Sequence, residues 1–124
     1  MTKPAALIHY ESLLAGNQLV NRLQDLGYRV VVVADVMSLV QRAEEEKPMV
    51  FVASLGSAAS RVSEAVRALK LNKATAHIPI LAFAKETDRT LAEAARKAGA
   101  TLVAGEAGIL TQLPQLLDQV LEVP

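Results

Sequence analysis

The sequence predicts an α/β fold built on a five-stranded parallel sheet. Five short apolar segments recur along the 124 residues, and each is followed by a segment with apolar residues at helical spacing. The apolar segments do not alternate with polar residues, which is typical of strands that are covered on both faces. Alternation of strand and helix over this length indicates one domain, residues 1–124, with right-handed crossovers and helices on both faces of the sheet.

The first strand is Ala5–His9, and a helix over Leu13–Leu26 follows it. Leucines and Val20 recur in that helix at three- and four-residue intervals, and Gly27 is a natural stop for it. The second strand is Arg29–Ala34, RVVVVA, in which β-branched side chains favour an extended backbone.

The second helix and third strand follow directly. Asp35 can cap a helix over Val36–Glu46 because its side chain can accept a hydrogen bond from the first helical turn. Pro48 ends that segment, and Met49–Ala53 is the third strand. A stripe of Val, Ala and Leu between residues 62 and 69 predicts the third helix.

The last two units complete the pattern. Ile78–Phe83 is the fourth strand, and the helix after it can be capped by Asp88 and end at Gly99. Thr101–Ala104 is the fifth strand, and the last helix begins near Thr111. Its expected buried stripe consists of Leu113, Leu117, Val120 and Leu121.

Five strands in this length fit the flavodoxin-like order 2-1-3-4-5. In that order a ligand crevice lies between the carboxyl ends of strands 1 and 3, where the strand order reverses. The loops at residues 9–12 and 54–57 are therefore expected to meet at one crevice.

Composition removes several classes of function. The 13 basic and 13 acidic residues give zero net charge, so no basic surface for nucleic acid or an anionic membrane is expected. The sequence has no cysteine, which excludes disulfides and thiol chemistry. It also lacks a signal-peptide pattern and any apolar run of about 18 residues, so we expect a cytoplasmic protein.

Four segments resemble the receiver domain of bacterial response regulators, a CheY-like family. LQDLGYRVVVVAD is similar to its first helix and second strand, and EEEKPMVFVAS to the approach to its phosphorylated strand. ATAHIPILAF resembles its fourth strand, and ARKAGA the residues before its fifth. The resemblance covers the whole chain in order and spacing, and it implies a domain of two-component, phosphorelay signalling.

The resemblance places the magnesium-binding and phosphorylated positions of receivers on unsuitable residues. The acidic pair after strand 1 falls on His9 and Tyr10, and only the following glutamate is kept, as Glu11. The phosphorylated aspartate falls on Ser54, whose hydroxyl cannot form an acyl phosphate. One carboxylate is also a poor substitute for the several oxygen ligands that magnesium requires.

The positions that sense the phosphoryl group in receivers are replaced as well. The strand-4 hydroxyl residue falls on Ala84, and the strand-5 switch aromatic falls on Val103. The Lys-Pro pair after strand 5 falls on Glu106 and Ala107, so attraction for a phosphoryl group becomes repulsion. We therefore predict a pseudo-receiver that is not an enzyme, needs no metal or cofactor, and acts through protein–protein interaction independently of phosphorylation.

Two other functions are compatible with these residues. The small, polar loop Ser54–Ser60 can offer backbone N–H groups to a small anionic ligand, although it lacks a phosphate-loop pattern. Ser54, His9 and an acid at Glu11 or Glu106 outline a divergent serine hydrolase, although no G-x-S-x-G elbow surrounds the serine.

The last helix carries more apolar residues than its expected stripe needs. Leu116 and Val123 fall outside that stripe, and Leu110 precedes the helix. Extra apolar side chains on one helix face indicate contact with another chain. In receivers the face of helix 4, strand 5 and helix 5 is the usual contact surface, so we expect a protein partner or a second copy there.

Overall fold

The computed structural model describes residues 3–56 and 59–122. The strands are Ala5–His9 (β1), Arg29–Val32 (β2), Val50–Ser54 (β3), Ile80–Ala84 (β4) and Leu102–Gly105 (β5). The helices are Leu13–Asp25 (α1), Leu39–Glu46 (α2), Ala59–Leu71 (α3), Arg89–Ala98 (α4) and Leu113–Glu122 (α5). All strands are parallel in the order β2-β1-β3-β4-β5, which confirms the predicted flavodoxin-like fold.

Two apolar layers cover the sheet because neighbouring strand residues point to opposite faces. Leu7 belongs to the layer that includes Leu39 of α2 and Val66 of α3. Its neighbour Ile8 belongs to the layer that includes Leu19 of α1. In the described part of the chain, none of the helices is long and apolar enough to cross a membrane.

β2 is shorter and more exposed than the sequence predicts. The expected strand continued to Ala34 with both faces covered, but β2 ends at Val32, whose side chain is 45% exposed. β2 pairs only with β1 and lies at the edge of the sheet, so less of the protein packs around it. The β-branched run indicated a strand but not its place at the edge.

Three expected helix caps have different outcomes. Asp35 accepts a hydrogen bond from the backbone N–H two residues later, at 3.0 Å, as predicted, although the first turn is a short 3-10 helix. Asp88 occupies the N-cap position of α4, as predicted, but its side chain makes no capping hydrogen bond. Thr111 does not cap the last helix: its hydroxyl lies 3.3 Å from the carbonyl of Gly108, to which it donates, and α5 begins at Leu113.

The expectation that Leu116 lies outside the buried stripe of the last helix is wrong. Leu116 is only 9% exposed, and it packs in the same layer as Leu113 and Val120. These residues are three and four positions apart, and a helix on a sheet commonly buries a stripe of that width. Leu110 is half-buried against the same layer, and Val123 lies outside the described residues.

Substitution of Leu116 by alanine should therefore lower the free energy of unfolding by about 2–4 kcal/mol, since it removes buried methyl groups. Leu14→Ala is the matched control because Leu14 is 73% exposed, and we expect a change within about 0.5 kcal/mol. Urea denaturation measures both values. Equal losses in the two variants would contradict the burial of Leu116.

Candidate functional site

A crevice of about 380 Å³ opens at the carboxyl edge of the sheet. Parallel strands end at the same edge, so the loops after β1, β3, β4 and β5 all contribute to its walls. Its polar side chains are those of Glu11, Ser12, Ser54, Lys85, Asp88 and Glu106. Four positions singled out in the sequence therefore line one cavity: Glu11, Ser54, Ala84 and Glu106.

Ser54 is fixed at this edge by the central strands. It is the last residue of β3 and lies opposite Phe83 of β4 in the sheet register. The next backbone N–H, that of Leu55, donates to the carbonyl of Phe83 at 2.8 Å, so the loop leaves the sheet only after this point. The predicted strand ended at Ala53, and β3 extends one residue further, to Ser54.

Glu11 reaches across the crevice from the loop after β1 to the loop after β3. Its carboxyl group lies so close to Gly56 that a Cβ atom at that position would overlap Oε2. A residue other than glycine would push the carboxyl group away. The two loops that were expected to meet are therefore in contact.

The charges of the crevice disfavour an anion. Glu11, Asp88 and Glu106 bring three carboxylates to its walls, against the single ammonium group of Lys85. The negative charges of these carboxylates repel an anionic ligand. The small-anion alternative is therefore not favoured.

His9 makes no hydrogen bond to Ser54. Its ring is 6% exposed, and Nδ1 lies 2.8 Å from the carbonyl oxygen of Val33. A carbonyl only accepts hydrogen bonds, so Nδ1 carries the proton and donates. Within the described residues Nε2 has no hydrogen-bond partner, so the serine–base contact that a hydrolase needs is not formed. The hydrolase alternative is not favoured either.

Tyr10 is turned onto helix α1. Its ring packs so closely on Gly16 that a Cβ atom there would overlap three ring carbons. It also contacts the apolar layer formed with α1 and α5, and it does not line the crevice. Among residues 3–56 and 59–122, no three His, Asp or Glu side chains form a group that could hold a metal ion.

A second hollow, of about 420 Å³, lies between α4 and β5. Val103 lines it, and Ala84, Lys85 and Asp88 line both this hollow and the crevice. Sequence reasoning singled out Val103 and Ala84 but missed the hollow and Lys85. The sequence did hold one indication of the hollow. Val103 and Ala84 are small residues at positions where the resemblance places larger or polar side chains.

No protein-family model and no curated protein matches the chain in sequence. Solved structures do match its fold. Chemotaxis protein CheY4 of Vibrio cholerae is 22% identical, with a TM-score of 0.82 over 96% of this chain and 99% of that one. The receiver domain of a Pseudomonas aeruginosa sensor histidine kinase, solved with magnesium in its active-site cleft, is 19% identical, with a TM-score of 0.81 over 98% and 100%.

The receiver fold is thus shared along nearly the whole chain. A response regulator from Burkholderia multivorans is 26% identical, with a TM-score of 0.68 over 94% of this chain and 96% of that one. The predicted CheY-like architecture is confirmed at the level of the fold.

The packing of Tyr10 on Gly16 predicts an unusual effect of a helix substitution. Gly→Ala inside a helix normally stabilises by about 0.5–1 kcal/mol. Gly16→Ala should instead destabilise by about 1–3 kcal/mol, because the new methyl group displaces the ring.

The same substitution in a Tyr10→Ala background should be neutral or stabilising, because the ring is then gone. Thermal unfolding of the four chains in this double-mutant cycle measures the coupling. A Gly16→Ala effect that is independent of Tyr10 would show that the ring does not lie there.

Proposed function

We propose that residues 1–124 form one cytoplasmic, receiver-like signalling domain that acts through protein contact and works without aspartyl phosphorylation. It is proposed to be a pseudo-receiver rather than an enzyme. The observation that carries the proposal is the crevice: the carboxyl end of β3 presents Ser54, not a carboxylate nucleophile.

The surroundings of Ser54 support the same conclusion. Magnesium binds several oxygen ligands at once, and transfer of a phosphoryl group needs nearby positive charge to offset its own. At the positions where the resemblance places metal-binding acids, His9 donates to Val33 and Tyr10 packs on Gly16. The wall after β5 presents a carboxylate, Glu106, which repels a phosphoryl group.

The proposed contact surface is the face formed by α4, β5 and α5, for a protein partner or a second copy. The hollow between α4 and β5 supports this surface. Leu116 of α5 does not, because it is buried. The rim of the hollow carries Lys85 and Arg89, which make no ion pair within the described part of the chain. Such charges at a rim steer and align a partner.

Phosphorylation independence predicts that the protein does not respond to magnesium and beryllofluoride, which mimics an aspartyl phosphate. NMR shifts of residues around Ser54 should stay constant as both are added. The Ser54→Asp variant should also fail to respond, because a carboxylate alone restores neither the metal ligands nor the lysine that the resemblance places at Glu106.

A phosphorylatable receiver treated in the same way is the positive control. Saturable, magnesium-dependent shifts around Ser54 in the unmodified chain would refute the proposal. A response of Ser54→Asp alone would show that the nucleophile is the only missing group. That result would contradict the loss of the metal and phosphoryl contacts, but not the phosphorylation independence of the unmodified chain.

The proposed contact surface predicts that Arg89→Glu weakens binding to a protein partner about tenfold, because it reverses a rim charge. Arg89 begins α4, where a glutamate is compatible with the helix dipole, so the fold should be kept. Arg61→Glu is the matched control: Arg61 lies in the first turn of α3, is exposed and lines neither cavity.

Dissociation constants for a partner isolated with the unmodified chain, or for self-association, measure the effect. Equal dissociation constants for the unmodified chain, Arg89→Glu and Arg61→Glu would show that the contact surface lies elsewhere.

A further inference from the structure

One side chain joins the two loops that flank the crevice and the hollow. Glu86 lies in the loop between β4 and α4, and its Oε2 accepts a hydrogen bond from the backbone N–H of Ala107 at 3.1 Å. Ala107 lies in the segment between β5 and α5. The bond therefore connects parts of the chain that are 21 residues apart in sequence.

The bond continues the pairing of β4 with β5. Ala84 lies opposite Gly105 in the register, and the N–H of Glu106 donates to the carbonyl of Ala84 at 2.7 Å. The next N–H along the chain, that of Ala107, lies beyond β5 and donates to a carboxylate instead of a backbone carbonyl. Glu86 thus adds a further cross-link after the last backbone hydrogen bond.

Gly105 makes room for this carboxyl group. A Cβ atom at Gly105 would lie 2.8 Å from Cδ of Glu86 and even closer to its Oε2, which real contacts do not allow. The three residues therefore act as a unit: Glu86 supplies the acceptor, Ala107 the donor, and Gly105 the space between them.

A similar contact exists on the other side of the crevice. The carboxyl group of Glu11, from the loop after β1, lies against Gly56 in the loop after β3. Two neighbouring pairs of strands, β1 with β3 and β4 with β5, thus have a carboxylate from the loop after one strand lying against a glycine of the other chain segment.

We propose that Glu86, Gly105 and Ala107 form a built-in tie that holds the β4–α4 and β5–α5 loops in one arrangement. A partner that contacts this edge then meets a preformed surface, with no bound ion or phosphoryl group needed to assemble it. This role rests on the phosphorylation-independent function proposed above. Glu86 and Ala107 are both exposed, so water competes for this bond, and a charged acceptor makes it stronger than a neutral one would be.

The tie also depends on the residue type at position 107. The resemblance places the proline of a Lys-Pro pair there, and a proline has no N–H to donate. Alanine at this position supplies the donor that Glu86 uses. Substitution of Ala107 by proline therefore removes the bond without touching the glutamate.

Amide hydrogen exchange and backbone NMR relaxation test the proposal on the full chain. In Glu86→Ala the N–H of Ala107 should exchange about fivefold faster, a factor typical of losing one hydrogen bond. Residues 85–88 and 106–108 should gain motion. Glu86→Gln keeps an acceptor oxygen, so its Ala107 exchange rate should lie between those of the unmodified chain and Glu86→Ala. Ala107→Pro should increase the motion of residues 85–88 as Glu86→Ala does.

Glu93→Ala is the matched control, because Glu93 is an exposed carboxylate on α4 that pairs with Arg96 and not with the loops. It should leave both loops unchanged. The proposed tie would be refuted if the Ala107 N–H in Glu86→Ala exchanged at the rate of the unmodified chain. It would also be refuted if residues 85–88 in Ala107→Pro relaxed as they do in the unmodified chain. These outcomes are independent of the beryllofluoride response, so failure of the tie and failure of the proposed function are distinguishable.

Discussion

The placement of every loop at the candidate site depends on the burial of the two central strands. All five residues of β1 are buried, as are the first four of β3, and the strands pair in register from Ala6 with Val50 to His9 with Ala53. A one-residue shift would exchange the faces of all their side chains and would leave clashes and cavities in both close-packed layers, so the register is fixed. The ends of β1 and β3, and with them Glu11 and Ser54, are therefore fixed side by side.

On this framework the edge of the sheet carries a mainly acidic crevice. Three carboxylates and one lysine line the crevice, and the serine at the end of β3 has no hydrogen bond from the buried imidazole of His9. The side chains that could have reached a metal are used in packing. Tyr10 fills the space above Gly16, and His9 satisfies the carbonyl of Val33 at the edge of the sheet.

The loops above the sheet are joined by contacts within the chain. Glu86 bridges from the loop after β4 to the segment after β5, and Glu11 lies on Gly56. Glycines at the approach points make this possible, since a side chain there would hold the carboxylates away. We infer that contacts between its own side chains arrange this edge of the domain. The adjacent hollow between α4 and β5 belongs to the surface proposed for a partner.

The sequence by itself determined the parallel sheet and the strand order, and it placed Ser54 and Glu11 beside the ends of their strands. Unbroken apolar segments and helical spacing are local patterns, and a parallel sheet necessarily brings Ser54 and Glu11 to one edge. The order of replaced residues in the resemblance also led from sequence alone to the pseudo-receiver hypothesis.

Only the tertiary structure decided which side chains face the crevice and which are buried. Leu116 looked surplus to the helix stripe, yet α5 lies on the sheet so that positions 113, 116, 117 and 120 are all buried. His9 and Tyr10 are consecutive with Glu11, but their rings bond and pack elsewhere. The contact of Glu86 with Ala107 has no sequence pattern, because it joins two loops whose distance is set by the pairing of β4 with β5. Side-chain direction and loop-to-loop distance depend on packing between distant segments, which local patterns do not encode.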